Sequence, residues 1–240
     1  MSRNWNTGGI AAAFSMGDNL PMFIEVFGAV RSAQEWSLRA PRHQGDFFFG
    51  PYFRETIEFG VFGDSVGCGL GVTRVERTFA GKVSRRLAVR RRVLCRIHAV
   101  SGARGRSLAL QRPTGDERFA AISIGTNDII HGESLSRLEK EVSAFIGGLR
   151  GAERVVVLGP GDLASSTIVP PVLRPVLRAR VRACEEALRH AVRRFPHARH
   201  FGPNDLGQAL TPEHYAPDGF HPSESAHAMI ADAVFDRLVG

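Results

Sequence analysis

The 240-residue chain is 43% hydrophobic and carries a formal charge of +7, which suits one α/β domain with an extension. No apolar run reaches the length of about 18 residues that would argue for a membrane-spanning helix. The positive charge is almost all arginine, mixed with Glu and Asp along predicted helices. It points to solvated faces with a mild, salt-screened attraction for anions and argues against a nucleic-acid partner.

Taken in order, residues 1–55 form an extension expected to pack on the core, with a lid or a homo-oligomer contact as the alternatives. Within it, residues 20–30 place Met22, Phe23, Val26, Phe27 and Val30 at helical spacing. Phe47-Phe48-Phe49, between Gly45 and Gly50, suits a loop or a short edge strand. Arg3 and the brief apolar patch 10–14, broken by Asp18, do not make a secretory signal, so a cytoplasmic location is expected.

From residue 56 to 240 strands and helices alternate as one domain. The β-branched and aromatic run 57–62 reads as a buried strand and leads through a glycine-rich turn into a helix. A helix follows over 73–89 and a strand over 93–100, then a short helical stretch over 104–111. The next strand is 119–124, and Ser134 caps a helix with Leu138, Val142, Phe145 and Ile146 inward. Strand 155–158, the long helix 172–195, a weak strand at 199–201 and a final helix capped by Ser223 complete the pattern. Repeated β-then-α units need right-handed crossovers, which gives a parallel sheet of about five strands with helices on both faces.

Cys68, Cys95 and Cys184 fall inside predicted elements, an odd set that suits buried thiols and not a disulfide framework. No CxxC or HExxH spacing occurs, so neither a metal nor a cofactor is expected.

Three short stretches carry chemistry. Gly63-Asp64-Ser65 follows the first strand, where a glycine can hold a serine hydroxyl at the strand tip near helix N–H groups. A serine needs a base, and Asp218-Gly219-Phe220-His221 supplies an imidazole with a carboxylate three residues before it. Gly125-Thr126-Asn127-Asp128 puts an amide at a second strand's carboxyl end, the edge where open α/β sheets bind ligands. Each has a bland alternative: a turn serine, a helix-capping loop histidine, and an N-cap asparagine.

In this order the blocks resemble the SGNH (GDSL-type) serine hydrolase family, over about residues 57–240. The resemblance implies a three-layer, flavodoxin-like α/β/α fold. It also implies a catalytic Ser65, Asp218 and His221, with an oxyanion hole from Ser65, Gly102 and Asn127. Gly102 follows the strand 93–100, although Arg104 stands where the family commonly has a small hydroxyl residue.

The expected activity is hydrolysis of carboxylic esters, with short- to medium-chain acyl groups, through an acyl-enzyme. Acetylated carbohydrate, thioester or lysophospholipid substrates are alternatives within the family. Leu163, Ile168 and Val169 favour an apolar acyl group. Gly63-Asp64-Ser65-Val66-Gly67 also satisfies the α/β-hydrolase nucleophile elbow, but residues 1–56 leave little room for the strands which that fold places before its serine. A non-catalytic phosphate-binding module lacks the Walker lysine and leaves Asp218 and His221 unexplained.

Overall fold

A computed structural model describes residues 32–33, 35–206 and 210–240. The helix expected at 20–30 lies outside them.

Six strands form one sheet: β1 (Gly45–Phe49), β2 (Thr56–Gly63), β3 (Arg92–Ile97), β4 (Glu117–Ser123), β5 (Arg154–Leu158) and β6 (Ala198–Phe201). Their spatial order is β1-β3-β2-β4-β5-β6. All neighbours pair in parallel except β1, which runs antiparallel to β3. The sheet therefore has one strand more than the five expected. The additional edge is the Phe47-Phe48-Phe49 segment, whose Phe49 enters the core while Phe48 stays exposed.

Helices α1 (Phe79–Leu87) and α5 (Glu224–Val239) pack against each other, as do α3 (Leu135–Gly148) and α4 (Arg174–Arg193); α2 (Thr126–Ile130) is a single short turn. The two-residue period of the strands sorts their side chains into two cores. Phe59, Val61, Ala121 and Val156 join the α1/α5 side, whereas Phe62, Ile122, Val155 and Val157 join the α3/α4 side. A sheet buried on both faces needs apolar residues at successive positions, as β2 has.

Two helices differ from expectation. The helix predicted over 73–89 divides into a 3₁₀ turn, Val75–Arg77, and α1. Thr78 is extended (φ −70°, ψ 164°) and its side chain accepts from the Gly81 N–H, so a cap sits inside the apolar period. The stretch after Ser65 is a series of turns, not a helix. Gly69 and Gly71 there have φ of 61° and 90°, which a right-handed helix does not allow. Ser65 therefore does not stand at a helix N-terminus.

Registers place the carboxyl ends of three strands level. Gly63 pairs with Ser123 and Ser123 with Leu158, so the turns after β2, β4 and β5 leave the sheet along one rim.

Candidate active site

The first site element is the exit from β2. Gly63 has φ of 105°, and a Cβ built on it would lie 1.8 Å from the Ser123 carbonyl oxygen. Only glycine lets β2 turn this close to β4. The Gln111 amide closes on the same peptide, accepting from Gly63 N–H at 2.6 Å and donating to its carbonyl at 2.8 Å. Asp64 Oδ1 accepts from Val66 N–H at 3.1 Å and from the Ser123 hydroxyl at 2.9 Å. Burial pushes the Asp64 carboxyl up to about 6 despite those hydrogen bonds. Asp64 thus sets the turn, and Ser65 beside it is 6% exposed.

The second element is the loop after β3. Val100 N–H donates to the Gly63 carbonyl at 2.9 Å, tying this loop to the serine turn. Gly102 has φ of 80°, and nothing lies within 4 Å of where a Cβ would be. Arg104, the departure from the family pattern, pairs with Glu133 at 2.7 Å. That ion pair joins the loop to the segment between α2 and α3.

Asn127 and Asp128 lie in α2 and reach the same loop. Asn127 Nδ2 donates to the Ala103 carbonyl at 3.0 Å, which leaves one amide hydrogen unused by that bond. Asp128 accepts the Gly105 N–H on its two oxygens at 3.1 and 3.2 Å, and burial lifts its carboxyl to about 6. The N-cap of α2 is Gly125, so Asn127 does not cap the helix.

The fourth element precedes α5. Asp218 Oδ1 accepts the backbone N–H groups of Phe220 and His221, each at 3.1 Å. Its Oδ2 lies 2.5 Å from His221 Nδ1. Burial raises the Asp218 carboxyl, but the hydrogen bond and charge of His221 and the two backbone donors outweigh it and hold the group below the usual range. An ionised Asp218 accepts only, so Nδ1 carries the proton and Nε2 is left as the basic nitrogen. The loop itself is held by Ala216 N–H on the His221 carbonyl (2.7 Å) and by the Ser166 hydroxyl on the Gly219 carbonyl (2.7 Å).

Ser65 and His221 line one cavity of about 90 Å³. Its walls are mostly apolar, with Leu158, Leu163, Phe201 and Ile230 among them, and Asp162, His214 and Tyr215 supply polar atoms. Of the residues expected to favour an apolar acyl group, Leu163 lines this cavity and Ile168 and Val169 do not. Thr126 also lines it, whereas Gly102 and Asn127 do not. Ser123 and Gln111 shape the serine turn without any local signal in the sequence, where they are a strand-end serine and a loop glutamine. Among the described residues no group of three or more His, Cys, Asp or Glu could hold a metal ion.

A doubly covered, mostly parallel sheet with a Gly-Asp-Ser turn after an inner strand and an Asp-x-x-His loop before its last helix is the arrangement of the SGNH hydrolases. The chain belongs to the GDSL-like lipase/acylhydrolase family, whose profile matches residues 61–229. It is 29% identical over 195 residues to the GDSL-like esterase Rv1075c of Mycobacterium tuberculosis, an alignment covering 74% of this chain and 60% of that protein. The chain thus spans less than two thirds of that relative's length. Two solved structures share the fold. The lipase Lip_vut3 from a goat rumen metagenome superposes with a TM-score of 0.62 at 15% identity, covering 77% of this chain and 98% of that one. The esterase EstA from Pseudoalteromonas sp. superposes with a TM-score of 0.55 at 13% identity, covering 75% and 95%.

Proposed function

We propose that the chain is a serine esterase that hydrolyses carboxylic esters with short- to medium-chain acyl groups. His221 Nε2 takes the Ser65 proton as the hydroxyl oxygen attacks the ester carbonyl, and Asp218 holds the tautomer and stabilises the imidazolium that forms. The tetrahedral oxyanion is met by the N–H groups of Ser65 and Gly102 and by the free amide hydrogen of Asn127. The imidazolium then protonates the leaving alkoxide. Water, deprotonated by the same nitrogen, releases the acid from the acyl-enzyme and returns Ser65 to its hydroxyl form.

The observation that carries this reading is the 2.5 Å Asp218–His221 pair at a cavity shared with Ser65. The apolar wall of that cavity supports an alkyl acyl chain more than a sugar. A structure of EstA is described as inhibited by monoethylphosphonate, and the same chemistry tests Ser65 here. A fluorophosphonate should label the native chain once, on Ser65, and leave Ser65→Ala unlabelled and inactive on p-nitrophenyl esters. Undiminished turnover by Ser65→Ala would end the proposal. A p-nitrophenyl chain-length series, run beside acetylated xylan and an acyl-CoA, then separates simple esters from carbohydrate esters and thioesters.

A further inference from the structure

The segment before the family-matched region reaches the catalytic loop. Residues 35–39 are helical, and the Trp36 indole stacks on the His221 imidazole with ring centroids 6.1 Å apart and planes at 28°. Phe220 meets the same imidazole edge-on at 5.1 Å and 88°. The ring is thus bounded by a carboxylate at Nδ1, an indole over its face and a phenyl ring at its side.

Trp36 is seated by the turn that follows Ser65. Gly71 has φ of 90°, and a Cβ there would lie 2.5 Å from the indole Cη2. Gly71 N–H donates to the Pro41 carbonyl at 2.9 Å, and His43 N–H donates to the Cys68 carbonyl at 2.8 Å. The His43 ring contacts the Val72 carbonyl at 2.9 Å. Ala40 N–H closes on the Trp36 carbonyl at 2.9 Å, and the Arg42 guanidinium holds the Ser37 and Leu38 carbonyls at 2.8 and 3.0 Å. One glycine-rich stretch therefore carries the serine at its start and receives the tryptophan at its end.

We propose that Trp36 is a positioning residue for the esterase: it holds the His221 ring in the plane that serves both Asp218 and Ser65 and stabilises its protonated form during turnover. This rests on the catalytic role of His221 proposed above. An indole face is the best aromatic partner for a cation, and a centroid distance near 6 Å is at the outer limit of that attraction. A ring held by three neighbours also keeps Nε2 aimed, and small losses of aim cost rate steeply. The charged and titratable groups around His221 are Asp218 on Nδ1, Asp64 and His227, each of which feels its charge, and Asp162, His214 and Tyr215 on the shared cavity wall. Trp36 adds none of its own, so its effect is separable from theirs.

The test uses the full chain with Trp36→Leu and Trp36→Phe. With p-nitrophenyl acetate, Trp36→Leu should lower kcat by about tenfold and move the acid limb of the kcat/KM–pH profile down by about half a unit. Trp36→Phe should recover most of both, and fluorophosphonate labelling of Ser65 should slow in parallel with kcat. An unshifted limb with a normal labelling rate in Trp36→Leu would reduce Trp36 to packing and overturn the proposal.

Indole emission decides the matter even if Trp36→Leu does not fold. In a Trp5→Phe background the emission should be quenched as pH falls, with the midpoint of the acid limb, and His221→Gln should abolish this. A flat emission profile would overturn the proposal. If His221→Gln keeps full ester turnover, the functional reading itself fails; if it is inactive while Trp36→Leu behaves as native, only the role of Trp36 fails.

Discussion

At the scale of single residues, the proposed mechanism gives Asn127 two tasks, one for each amide hydrogen. One is committed to the Ala103 carbonyl, and the other is the oxyanion donor of the proposed mechanism. Asn127→Ala should therefore lower kcat by about 10²–10³ and also cost about 1–2 kcal/mol of stability, because a buried carbonyl loses its donor. Both are read on one preparation, from kcat at saturating ester and from the urea midpoint. A lowered midpoint with native kcat would assign Asn127 to structure alone. Asp218→Asn is the complementary case. The amide is nearly isosteric but favours the wrong imidazole tautomer, so kcat should fall by on the order of 10³–10⁴, and the loss of the carboxylate charge should also lower the melting temperature at neutral pH.

The two rim glycines show why residue type at this edge cannot be judged from the sequence. Gly63 and Gly102 both have positive φ, but only Gly63 has backbone where a Cβ would go. Gly102→Ala should cost the conformational penalty alone, about 1–2 kcal/mol. Gly63→Ala must also push β4 away from β2 and should lose more than about 4 kcal/mol. Urea titrations of the two variants check the difference; equal costs would mean that the β2–β4 rim yields easily.

At the scale of elements, α5 is joined to α1 by a hydrogen bond that exists only with a neutral imidazole. Phe79 N–H donates to His227 Nδ1 at 3.2 Å, and the side chain is wholly buried. Burial lowers its pKa to about 3, with the charges of Lys82, His221 and His43 adding to the effect. The unfolded chain takes up that proton near 6.5, so the contribution of neutral His227 is full above 6.5 and is lost as pH falls toward 3. His227→Asn, which keeps an acceptor in place of Nδ1, should remove this component from the pH dependence of the urea midpoint between 6.5 and 3. Native-like acid sensitivity in the variant would place the cause elsewhere. Strand β1 has a simpler role. It covers the free edge of β3 and brings Phe49 into the α1/α5 core.

At the scale of the whole molecule, the buried carboxyl groups oppose His227. Asp64 and Asp128 are each raised to about 6 by burial, from 3.8 in the unfolded chain. A raised carboxyl stabilises the fold below the unfolded value and loses that contribution as pH rises through the folded value. Stability from these two groups is therefore present below about 4 and gone above about 6. Asp64→Asn, which retains an oxygen acceptor for Ser123 and Val66, should be more stable than the native chain above pH 6 and no different below pH 4. Denaturation at pH 4 and pH 8 checks it; a variant less stable at both values would show that the carboxylate charge itself holds the turn. Among the described residues no helix is long and apolar enough to cross a membrane.

Alternating apolar runs, caps such as Ser134 and Ser223, and three short motifs were enough to determine the layered sheet, the rim that carries those motifs and the family of the chain. These signals are local: each depends on residues within a few positions of one another, through strand period, helix period and turn chemistry. What only the tertiary structure decided is non-local. The Gln111 clasp on Gly63, the Ser123 bond to Asp64, the Arg104–Glu133 pair and Trp36 over His221 each join residues 29 or more positions apart. No periodicity links such pairs, because their approach is set by the close packing of one rim. For the same reason the turn after Ser65 could not be told from a helix in the sequence: its glycines take left-handed conformations to make room for side chains that arrive from elsewhere in the chain.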